Sequence, residues 1–500
     1  MTVMTQAPAR PQSGSTFESL NPATGEVVGT HPVQTAEEVQ AAVARAREEA
    51  AWWGGLSFGE RKTHLNAWKT SMTQRLPELA ELMRLEMGKP VGDAMLEAGL
   101  AMEHVSWAAG HAGRVLGRRR VSPGLMMVNQ SASVAFKPLG VVGVIGPWNY
   151  PVFTPLGSVA YALAAGNAVV FKPSEHTPGV GAWMVQAFQD AVGRPVLQLV
   201  TGLGATGAAL CRAGVDKVAF TGSTATGKKV MAACAETLTP VVIEAGGKDS
   251  VIVDADADVE AAADAALWGA CSNAGQTCIG VERVYVHEKV YDEFLSTITA
   301  KAAVLRADRD GKIGPITMPS QVGVIRSHVQ DALDHGGRAV VGGIDAVGER
   351  FVQPTILVDV PEDSLAVQEE TFGPTMTIAK VRTMDEAIEK TNATRYGLGN
   401  TVFSKVNGMA IAERVRSGMS AVNGVISFAG IPSLPFGGVG DSGFGRIHGP
   451  EGLKEFTYAK AIARQRFKPM INLTSFDRTA KADKQLAQVI GLLHGRAKKR

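Results

Sequence analysis

The chain has 500 residues, enough for more than one hydrophobic core, and 45% of them are hydrophobic against 20% charged. A net charge of +2 gives no argument for nucleic acid or a membrane surface as a partner. The four cysteines are irregularly spaced without a CxxC pair, which predicts no disulfide framework and fits a reducing compartment. No apolar run reaches the roughly 18–20 residues that a membrane-spanning helix needs. We therefore expect a cytoplasmic protein of at least two domains, without an integral membrane segment or a metal site.

The predicted secondary structure changes near Val141, from helices alone to strands that alternate with helices. Residues 1–14 are polar and contain proline, which predicts a disordered leader and not a signal peptide. Residues 33–117 are predicted to be helical, because apolar residues recur there at three- and four-residue spacing. Short apolar runs then alternate with helical segments. The predicted strands are Val141–Gly146, Ala168–Phe171, Val196–Val200, Lys217–Thr221, Val241–Ile243 and Val251–Val253, and the helices between them are Ala160–Ala165, Val180–Val192, Thr206–Arg212, Thr226–Glu236 and Val259–Ser272.

This alternation predicts an α/β fold with a doubly wound, parallel, Rossmann-like sheet, whose ligands bind beyond the carboxyl ends of the strands. A second α/β region is predicted over 247–423, with strands near Val284–Val286 and Thr401–Phe403. The basic tail from Asp477 is predicted to be a solvated, partly helical extension, with a partner or membrane surface as the alternative. The turns that follow the first strands carry polar residues or glycines: Pro147-Trp148-Asn149, Lys172-Pro173-Ser174-Glu175, Gly202-Leu203-Gly204, Gly222-Ser223 and Glu244.

Two segments resemble phosphate-binding loops only in part. Residues 202–207 match GxGxxG, but the acid that a dinucleotide fingerprint requires about 20 residues later is missing, so we expect a tight strand-to-helix turn near a cofactor. Residues 222–228 nearly match a P-loop, but Lys229 stands where Ser or Thr would bind magnesium, which argues against ATP hydrolysis. Gly222 and Ser223 still precede a helix whose free N–H groups suit a diphosphate.

A possible nucleophile and a possible base stand in unusual settings. Cys278 lies in the small-residue loop Asn273-Ala-Gly-Gln-Thr-Cys278-Ile-Gly280, where little is available to bury it. Glu244 ends an apolar strand just before Gly246-Gly247, so partial desolvation would raise its pKa towards that of a useful base. Asn149 is either an ordinary turn residue or an amide donor for an oxyanion. A thiol and a carboxylate together can perform acyl chemistry through a thioester that water cleaves.

Seven segments in this order closely resemble motifs of the aldehyde dehydrogenase superfamily, and the similarity runs from about Phe17 to Lys468. Each motif is short, but their order and separations also fit. The segments are Gly146-Pro-Trp-Asn-Tyr-Pro151, Lys172-Pro-Ser-Glu175, Phe220-Thr-Gly-Ser223, Glu244-Ala-Gly-Gly-Lys248, Asn273-Ala-Gly-Gln-Thr-Cys278, Glu369-Glu-Thr-Phe-Gly-Pro374 and Pro435-Phe-Gly-Gly438.

The resemblance implies roles for individual residues. Cys278 would be the nucleophile, Asn149 with the Cys278 backbone N–H would hold the oxyanion, and Glu244 would activate the hydrolytic water. The implied cofactor is NAD, with NADP possible, because a carboxylate at Glu175 repels a 2′-phosphate. Lys172 and Glu175 would hold the adenosine ribose, Gly222 and Ser223 the diphosphate, and Glu370 the nicotinamide ribose, with Phe372 packing nearby. Trp148 is a further residue expected to contact the cofactor.

The resemblance also narrows the reaction. Members that transfer the acyl group to coenzyme A generally lack the glutamate at Glu244, so we expect hydrolysis to a carboxylic acid, with a coenzyme A-acylating enzyme as an alternative. Succinic semialdehyde dehydrogenases usually carry an arginine soon after the Trp-Asn turn, and Phe153-Thr-Pro-Leu-Gly157 has none. An uncharged aliphatic or aromatic aldehyde is therefore expected, with a semialdehyde as the alternative. Tyr458 stands where some relatives place a relay glutamate. The predicted tunnel walls, with core packing as the alternative, are Phe153, Trp268, Phe428 and Phe436.

The expected domain organisation follows from the same resemblance. An NAD(P)-binding domain would comprise 15–119 and 139–246, and a catalytic domain 247–454. A protruding β element of 120–138 and 455–467 would mediate assembly into a homodimer or homotetramer, because exposed strand edges need partners. Residues 468–500 would form the basic C-terminal extension.

Overall fold

The structure is a computed structural model that describes residues 14–469 and 475–495. Except for Gly14, the predicted leader of residues 1–14 lies outside the described residues. The chain divides into two compact units, one within 1–115 and 138–458 and the other within 116–137 and 459–500. Within the described ranges, no helix combines the length and the apolar character that crossing a membrane requires.

The described residues form 18 strands and 16 α-helices. The strands are β1 Thr16–Leu20, β2 Val27–Pro32, β3 Arg119–Val121, β4 Gln130–Pro138, β5 Val141–Ile145, β6 Ala168–Lys172, β7 Leu197–Leu199, β8 Lys217–Thr221, β9 Val241–Glu244, β10 Asp249–Val253, β11 Val281–His287, β12 Arg338–Val341, β13 Thr355–Val358, β14 Thr375–Val381, β15 Asn400–Phe403, β16 Ala421–Val422, β17 Gly443–Phe444 and β18 Thr457–Gln465. The helices are α1 Ala36–Gly55, α2 Phe58–Gln74, α3 Leu76–Met87, α4 Val91–Leu116, α5 Phe153–Ala165, α6 Pro178–Val192, α7 Gly204–Arg212, α8 Thr224–Ala235, α9 Val259–Cys271, α10 Glu288–Ala303, α11 Pro319–Asp334, α12 Leu365–Gln368, α13 Met384–Asn392, α14 Gly408–Ala412, α15 Gly449–Glu455 and α16 Ala480–His494.

The helical region predicted over 33–117 is confirmed as α1 to α4 with short breaks. Two of these helices begin with a capping box, in which the side chain before the helix and a glutamate three residues later each bond the other's backbone N–H. Thr35 and Glu38 do this for α1, and Ser57 and Glu60 for α2. Such boxes fix where the helices start. The antiparallel pair of β1 and β2, which precedes α1, was not predicted.

The six-stranded sheet has the order β17-β9-β8-β5-β6-β7 and is parallel except for β17. Its strands β5 to β9 confirm the predicted doubly wound fold, with boundaries within about two residues of those expected from the apolar runs. The predicted strand Val251–Val253 lies instead in β10 of a second, seven-stranded sheet, and β17 was not predicted. Helix α5 begins at Phe153 and not at Ala160, because Pro155 lies in its first turn, where a missing N–H is tolerated. Since β9, β8, β5 and β6 are neighbours, the turns after them meet at one edge.

The seven-stranded sheet has the order β12-β13-β14-β11-β10-β15-β16 and is parallel except for β12. Its core is formed by fully buried valines such as Val251 and Val284, which pack with Phe294 and Ile298 from α10. Because β11 and β14 are paired in parallel, the loops that enter these two strands lie side by side.

The three-stranded sheet has the order β18-β4-β3, and its strands β3 and β4 are antiparallel. Ser131 on β4 donates to the carbonyl oxygen of Arg464 on β18 at 3.4 Å. Strand β18 is exposed along most of its length. The segment after it contains α16, with residues 470–474 and 496–500 outside the described ranges.

Two buried histidines lie against each other in the first unit. The ring centroids of His104 and His448 are 3.8 Å apart, and the rings of Phe153 and Phe436 pack around His448. His104 Nε2 donates to the carbonyl oxygen of Ala429 at 3.0 Å, whereas its Nδ1 and both nitrogens of His448 have no partner among the described residues. Burial lowers the pKa of His104 to about 4 and that of His448 well below the ordinary value. Both imidazoles are therefore neutral in the folded protein at neutral pH.

This pair predicts a loss of stability in acid. As pH falls, His104 becomes protonated near pH 6.5 in the unfolded chain but only near pH 4 in the folded chain. The free energy of unfolding therefore decreases between these two pH values. Between about pH 7.5 and pH 5, His104 alone should cost about 2 kcal/mol of unfolding free energy, and His104→Leu should reduce the measured loss by that amount. Urea titrations at both pH values check this. The exposed His335, whose pKa is raised by its backbone bond to Asp331 and by the Asp331 charge, serves as control: His335→Leu should not reduce the loss.

Candidate active site

A cleft of about 1680 Å³ lies in the first unit. This exceeds the roughly 300–1,000 Å³ of an ordinary small-molecule pocket, so a dinucleotide and a second ligand have room together. All ten residues predicted for the site line the cleft: Trp148, Asn149, Lys172, Glu175, Gly222, Ser223, Glu244, Cys278, Glu370 and Phe372. The structure therefore brings together every residue on which the expected chemistry depends.

The two sheets supply different parts of the lining. Lys172 and Glu244 are the last residues of β6 and β9, while Asn149 and Ser223 follow β5 and β8. These are the carboxyl ends of four neighbouring parallel strands, the usual place for a ligand in an open α/β sheet. Cys278 comes from the second sheet, in the loop that enters β11.

The conformation of the Cys278 loop depends on a close approach of two backbones. Asn273 and Ala274 have φ of +52° and +56°, and Gly275 has φ of +72°. A Cβ atom at Gly275 would lie 2.1 Å from the carbonyl oxygen of Gly373, so only glycine fits. Cys278 is partly exposed, whereas the other three cysteines are buried.

The side chain of Asn149 is held over the Cys278 loop. Its Nδ2 donates to the carbonyl oxygen of Gln276 at 2.9 Å, which uses one of the two amide hydrogens. The backbone carbonyl oxygen of Asn149 accepts hydrogen bonds from Asn273 Nδ2 and from Lys89 Nζ, each at 3.0 Å. These bonds fix both the backbone and the side-chain amide of Asn149, and the bond to Gln276 leaves the second amide hydrogen unused.

Lys89 and Glu97 support this turn, and sequence reasoning missed both. They form a fully buried ion pair, and Glu97 Oε1 accepts from the backbone N–H groups of Val152 at 2.9 Å and Phe153 at 3.0 Å. The pair thus holds both ends of the turn that carries Asn149. Lys89 lies 60 residues before Asn149, and no local pattern links them.

Glu244 and Cys278 influence each other's protonation. Burial raises the pKa of Glu244 to about 7, although the nearby side chains of Cys278 and Thr221 lower it in part. Neither carboxylate oxygen of Glu244 has a partner at ordinary hydrogen-bond distance among the described residues. Burial, together with the charges of Glu244 and Glu370, raises the pKa of Cys278 well above its ordinary value. The resting cysteine is therefore a thiol beside a carboxylate that exchanges protons near neutral pH.

Glu370 lies against the turn after β9. Its Oε1 accepts from the Gly247 N–H at 3.1 Å, and a Cβ atom at Gly246 would lie 2.1 Å from Oε2, so glycine leaves room for the carboxylate. Burial raises its pKa well above the ordinary value. Phe372 has φ of +52°, and its ring is 5.7 Å from that of Trp148 between centroids.

A second buried ion pair, Lys248 with Glu282, holds this Glu370–Phe372 segment. The carboxylate of Glu282 accepts from the N–H groups of Thr371 at 2.8 Å and Phe372 at 2.9 Å. Lys248 Nζ also reaches Thr371 Oγ1 at 3.2 Å. Glu282 gave no signal in the sequence, because a charged residue inside a buried strand is recognised only once its partners are known.

The wall formed by the first sheet suits a nucleotide. Lys172 Nζ is buried, 3.9 Å from Glu175 Oε2, and burial lowers the lysine pKa. Ser223 caps α8, whose first-turn N–H groups are available to an anion. Gly204 and Gly207 also line the cleft at the start of α7, as expected for a tight turn near a cofactor. A carboxylate, a lysine and a helix amino terminus are the groups that a ribose and a diphosphate require.

The four aromatic residues predicted as tunnel walls differ in location and exposure. Phe153, Phe428 and Phe436 belong to one hydrophobic cluster, against which Cys278 packs. Trp268 is about half exposed and lies outside that cluster. The surroundings of the thiol on this side are therefore apolar.

Comparisons with known proteins agree with this site. Residues 9–462 match the model of the aldehyde dehydrogenase family. The chain is 36% identical to the 4,4′-diapolycopene aldehyde oxidase of a Methylomonas species, over 89% of this chain and 85% of that protein. It is also 36% identical to the succinate-semialdehyde dehydrogenase [NADP(+)] of Deinococcus radiodurans, over 92% and 97%. The crystal structure of an NAD-dependent aldehyde dehydrogenase from Sinorhizobium meliloti superposes with a TM-score of 0.87, at 34% identity over 92% and 93%.

A family match over nearly the whole chain, relatives above 30% identity at almost full length and an agreeing fold lead to one conclusion. The resemblance inferred from seven short motifs is confirmed. This chain belongs to the aldehyde dehydrogenase family and is an NAD(P)-dependent oxidoreductase that acts on aldehydes.

Proposed function

We propose that the enzyme oxidises an uncharged aliphatic or aromatic aldehyde to the carboxylic acid, with Cys278 as nucleophile and Glu244 as general base. The observation that carries this proposal is the pairing of a high-pKa thiol with a buried carboxylate whose pKa is about 7. A base with a pKa near the working pH is the most effective at transferring protons.

In the first half-reaction, Glu244 takes the Cys278 proton and the sulfur attacks the aldehyde carbon, which gives a thiohemiacetal. The developing oxyanion accepts hydrogen bonds from the Asn149 side chain and the Cys278 backbone N–H. When bound, the nicotinamide supplies the hydride acceptor that converts this carbon to the oxidation level of an acid. What remains on the protein is a thioester at Cys278.

Between the two half-reactions, Glu244 releases the Cys278 proton to solvent. In the second half-reaction, the carboxylate of Glu244 removes a proton from water, which attacks the thioester carbon. The tetrahedral intermediate then collapses and expels the Cys278 thiolate, releasing the carboxylic acid. Water is a poor nucleophile at neutral pH, so this step needs the base. Glu244 therefore argues for hydrolysis over transfer to coenzyme A. Tyr458 in place of a relay glutamate would leave Glu244 to perform this step alone.

For the cofactor, the geometry supports a division of contacts along the cleft. Lys172 and Glu175 would bind the adenosine ribose, and Gly222 with Ser223 at the start of α8 would bind the diphosphate. Glu370 would bind the nicotinamide ribose. Trp148 and Phe372 would pack beside these groups, since their rings already touch.

Glu175 should favour NAD over NADP, because its carboxylate would repel a 2′-phosphate at the same ribose. Glu175→Gln removes the charge and keeps the shape. The ratio of kcat/KM for NAD to that for NADP should fall at least about tenfold, equivalent to about 1.4 kcal/mol. Steady-state kinetics with both cofactors and one aldehyde measure it. An unchanged ratio would show that Glu175 does not face the 2′ position.

The apolar surroundings of Cys278 support an uncharged substrate. Phe153, Phe428 and Phe436 cluster there, and α5 carries no arginine for a substrate carboxylate. A relative named for 4,4′-diapolycopene aldehyde fits this choice. A semialdehyde is the second candidate, favoured by the similarity to a succinate-semialdehyde dehydrogenase.

We also propose three functional regions. The cofactor would bind to residues 15–119 and 139–246, because strands β5 to β9 belong to this region. The catalytic region would be 247–454. Its strand β17 nevertheless pairs with β9 of the cofactor-binding sheet. Residues 120–138 and 455–467 would join subunits into a homodimer or homotetramer, because β3 and β18 are the edges of their sheet. The four free cysteines fit work in the reducing cytoplasm.

The proposal is tested by cofactor reduction with purified protein against short, long and aromatic aldehydes and succinic semialdehyde, with and without coenzyme A. Turnover without coenzyme A, with apolar aldehydes giving the highest kcat/KM, is the expected result. If turnover required coenzyme A, the proposed hydrolysis of the thioester by water would be wrong. A preference for succinic semialdehyde would overturn the substrate class and leave the mechanism standing.

A further inference from the structure

A hydrogen bond between Tyr150 and Thr277 joins two segments of the candidate active site. Tyr150 Oη lies 3.0 Å from Thr277 Oγ1, although 127 positions separate the two residues in the chain. Tyr150 directly follows Asn149, and Thr277 directly precedes Cys278. The bond therefore links the residue next to the proposed amide donor with the residue next to the proposed nucleophile. Neither hydroxyl takes part in the proton or acyl transfers of the proposed mechanism.

The ring of Tyr150 is held on one face by a buried lysine. Lys89 Nζ lies 3.9 Å from the ring centroid, which is the geometry of a cation–π interaction. The ammonium group is itself fixed by the Glu97 carboxylate and by the backbone carbonyl oxygen of Asn149. Burial raises the pKa of Tyr150 above its ordinary value, so the phenol stays protonated and can donate to Thr277. The ring is thus held at its face by the cation and at its hydroxyl by Thr277.

The peptide between Thr277 and Cys278 carries the backbone N–H that is proposed to bind the oxyanion. Among the described residues this N–H has no acceptor, so it is available to a ligand. The carbonyl oxygen of Thr277, in the same peptide, accepts from the Gly280 N–H at 2.9 Å. Because the C=O and N–H of a peptide lie in one plane, the Gly280 bond and the side-chain bond of Thr277 together set the direction of the Cys278 N–H.

We infer that Tyr150, through Thr277, is a positioning residue that aligns the two hydrogen-bond donors for the oxyanion. The inference rests on the proposed function, because it concerns the thiohemiacetal oxyanion formed at Cys278. The side chain of Asn149 is attached to the Cys278 loop at the carbonyl oxygen of Gln276, at 2.9 Å. The Tyr150 bond is a second attachment, one residue further along each segment, and it limits rotation of the segments about the first.

The alignment of these donors affects the transition state more than the ground state. A donor stabilises an oxyanion well only when it lies about 2.7–3.1 Å from the oxygen on which charge develops. A small rotation of one donor would therefore slow the chemical step and leave the binding of aldehyde and cofactor almost unchanged. A residue that served only to stabilise the fold would not separate kcat from KM in this way.

The experiment is steady-state kinetics of full-length variants with NAD and an aldehyde that the wild type oxidises. Tyr150→Phe and Thr277→Val each remove one hydroxyl of the bond and nearly keep the shape. Each should lower kcat about tenfold, with KM for the aldehyde and Kd for NAD within about threefold of wild type. Thr277→Ser keeps a hydroxyl and should retain kcat within about threefold. The double variant should be within about twofold of the slower single variant, because both changes remove the same bond.

Tyr285→Phe is the matched control. The hydroxyl of Tyr285 also donates to a side chain, Glu362 Oε2 at 3.1 Å, but this tyrosine lies on β11 and does not line the cleft. The change removes a comparable hydrogen bond away from the reacting atoms. Its kcat should stay within about twofold of wild type.

Four results would overturn the inference. They are a kcat of Tyr150→Phe within about twofold of wild type, a rise in KM without a fall in kcat, losses in the two single variants that multiply in the double variant, and an equal loss of kcat in Tyr285→Phe. The proposed function fails separately, if wild-type turnover survives Cys278→Ala. Loss of turnover in that variant, together with a wild-type kcat in Tyr150→Phe, would overturn the positioning role alone.

Discussion

Replacing Cys278 with alanine should reduce kcat at least about 10⁴-fold, the scale seen when a covalent nucleophile is removed. Without the sulfur, no thiohemiacetal forms and the aldehyde carbon cannot reach the electron-rich state that releases hydride. The cleft keeps its other nine lining residues of the predicted site, so cofactor binding should remain within about twofold of wild type. Quenching of the intrinsic tryptophan fluorescence by NAD provides that measurement, since the Trp148 ring lines the cleft.

The chain contains a matched control for this change. Cys271 lies seven residues earlier at the end of α9, is buried, and has a pKa raised to about 12 by burial alone. Cys271→Ala makes the same chemical change outside the cleft and should keep kcat within about threefold of wild type. If the two alanine variants lost activity equally while both bound NAD, Cys278 would not be the nucleophile.

Replacing Glu244 with glutamine should separate the two half-reactions. Loss of a general base costs about 10²–10⁴-fold, so steady-state turnover should fall by at least about 100-fold. The charge of Glu244 contributes to the raised pKa of Cys278, so the thiol ionises more readily in this variant and can react without the base. A burst of about one reduced cofactor per active site should therefore precede the slow phase. Stopped-flow absorbance measures both phases, and mass spectrometry of the quenched enzyme should detect the acyl group on Cys278.

The same residue should set the pH profile of the wild-type enzyme. Glu244 acts as a base only when ionised, and its pKa is about 7, so kcat should rise as pH increases through 7 and level off above about 8. In Glu244→Gln this ionisation is absent, so the slow phase should not show that rise. Glu451→Gln, an exposed change outside the cleft, should keep the wild-type profile. A wild-type profile in Glu244→Gln would assign the ionisation to another group.

The sequence was sufficient for the parts of the fold that rest on local patterns. Apolar runs bounded by glycines and polar turns located β5, β6 and β8 within a residue, because a buried parallel strand needs an uninterrupted apolar segment. The hairpin of β1 and β2 was missed, since its residues are mostly exposed and show no clean alternation. Roles for the ten site residues came from residue types and family motifs, and they remain predictions that the variants above test.

What escaped prediction depends on distant parts of the chain meeting. The pairs Lys89–Glu97 and Lys248–Glu282 position the turns that bear Asn149 and Glu370, yet each partner alone resembles an ordinary surface charge. The buried contact of His104 with His448 joins residues more than 300 positions apart.

The high pKa of the Cys278 thiol has a consequence for the enzyme when no substrate is bound. Peroxides and electrophiles react with thiolates far faster than with thiols, because only the deprotonated sulfur is strongly nucleophilic. Burial and two neighbouring carboxylates keep the resting sulfur protonated. Because the cysteine in the open cleft rests as a thiol, its oxidation by peroxides and its alkylation by reactive aldehydes should be slow until Glu244 accepts the proton.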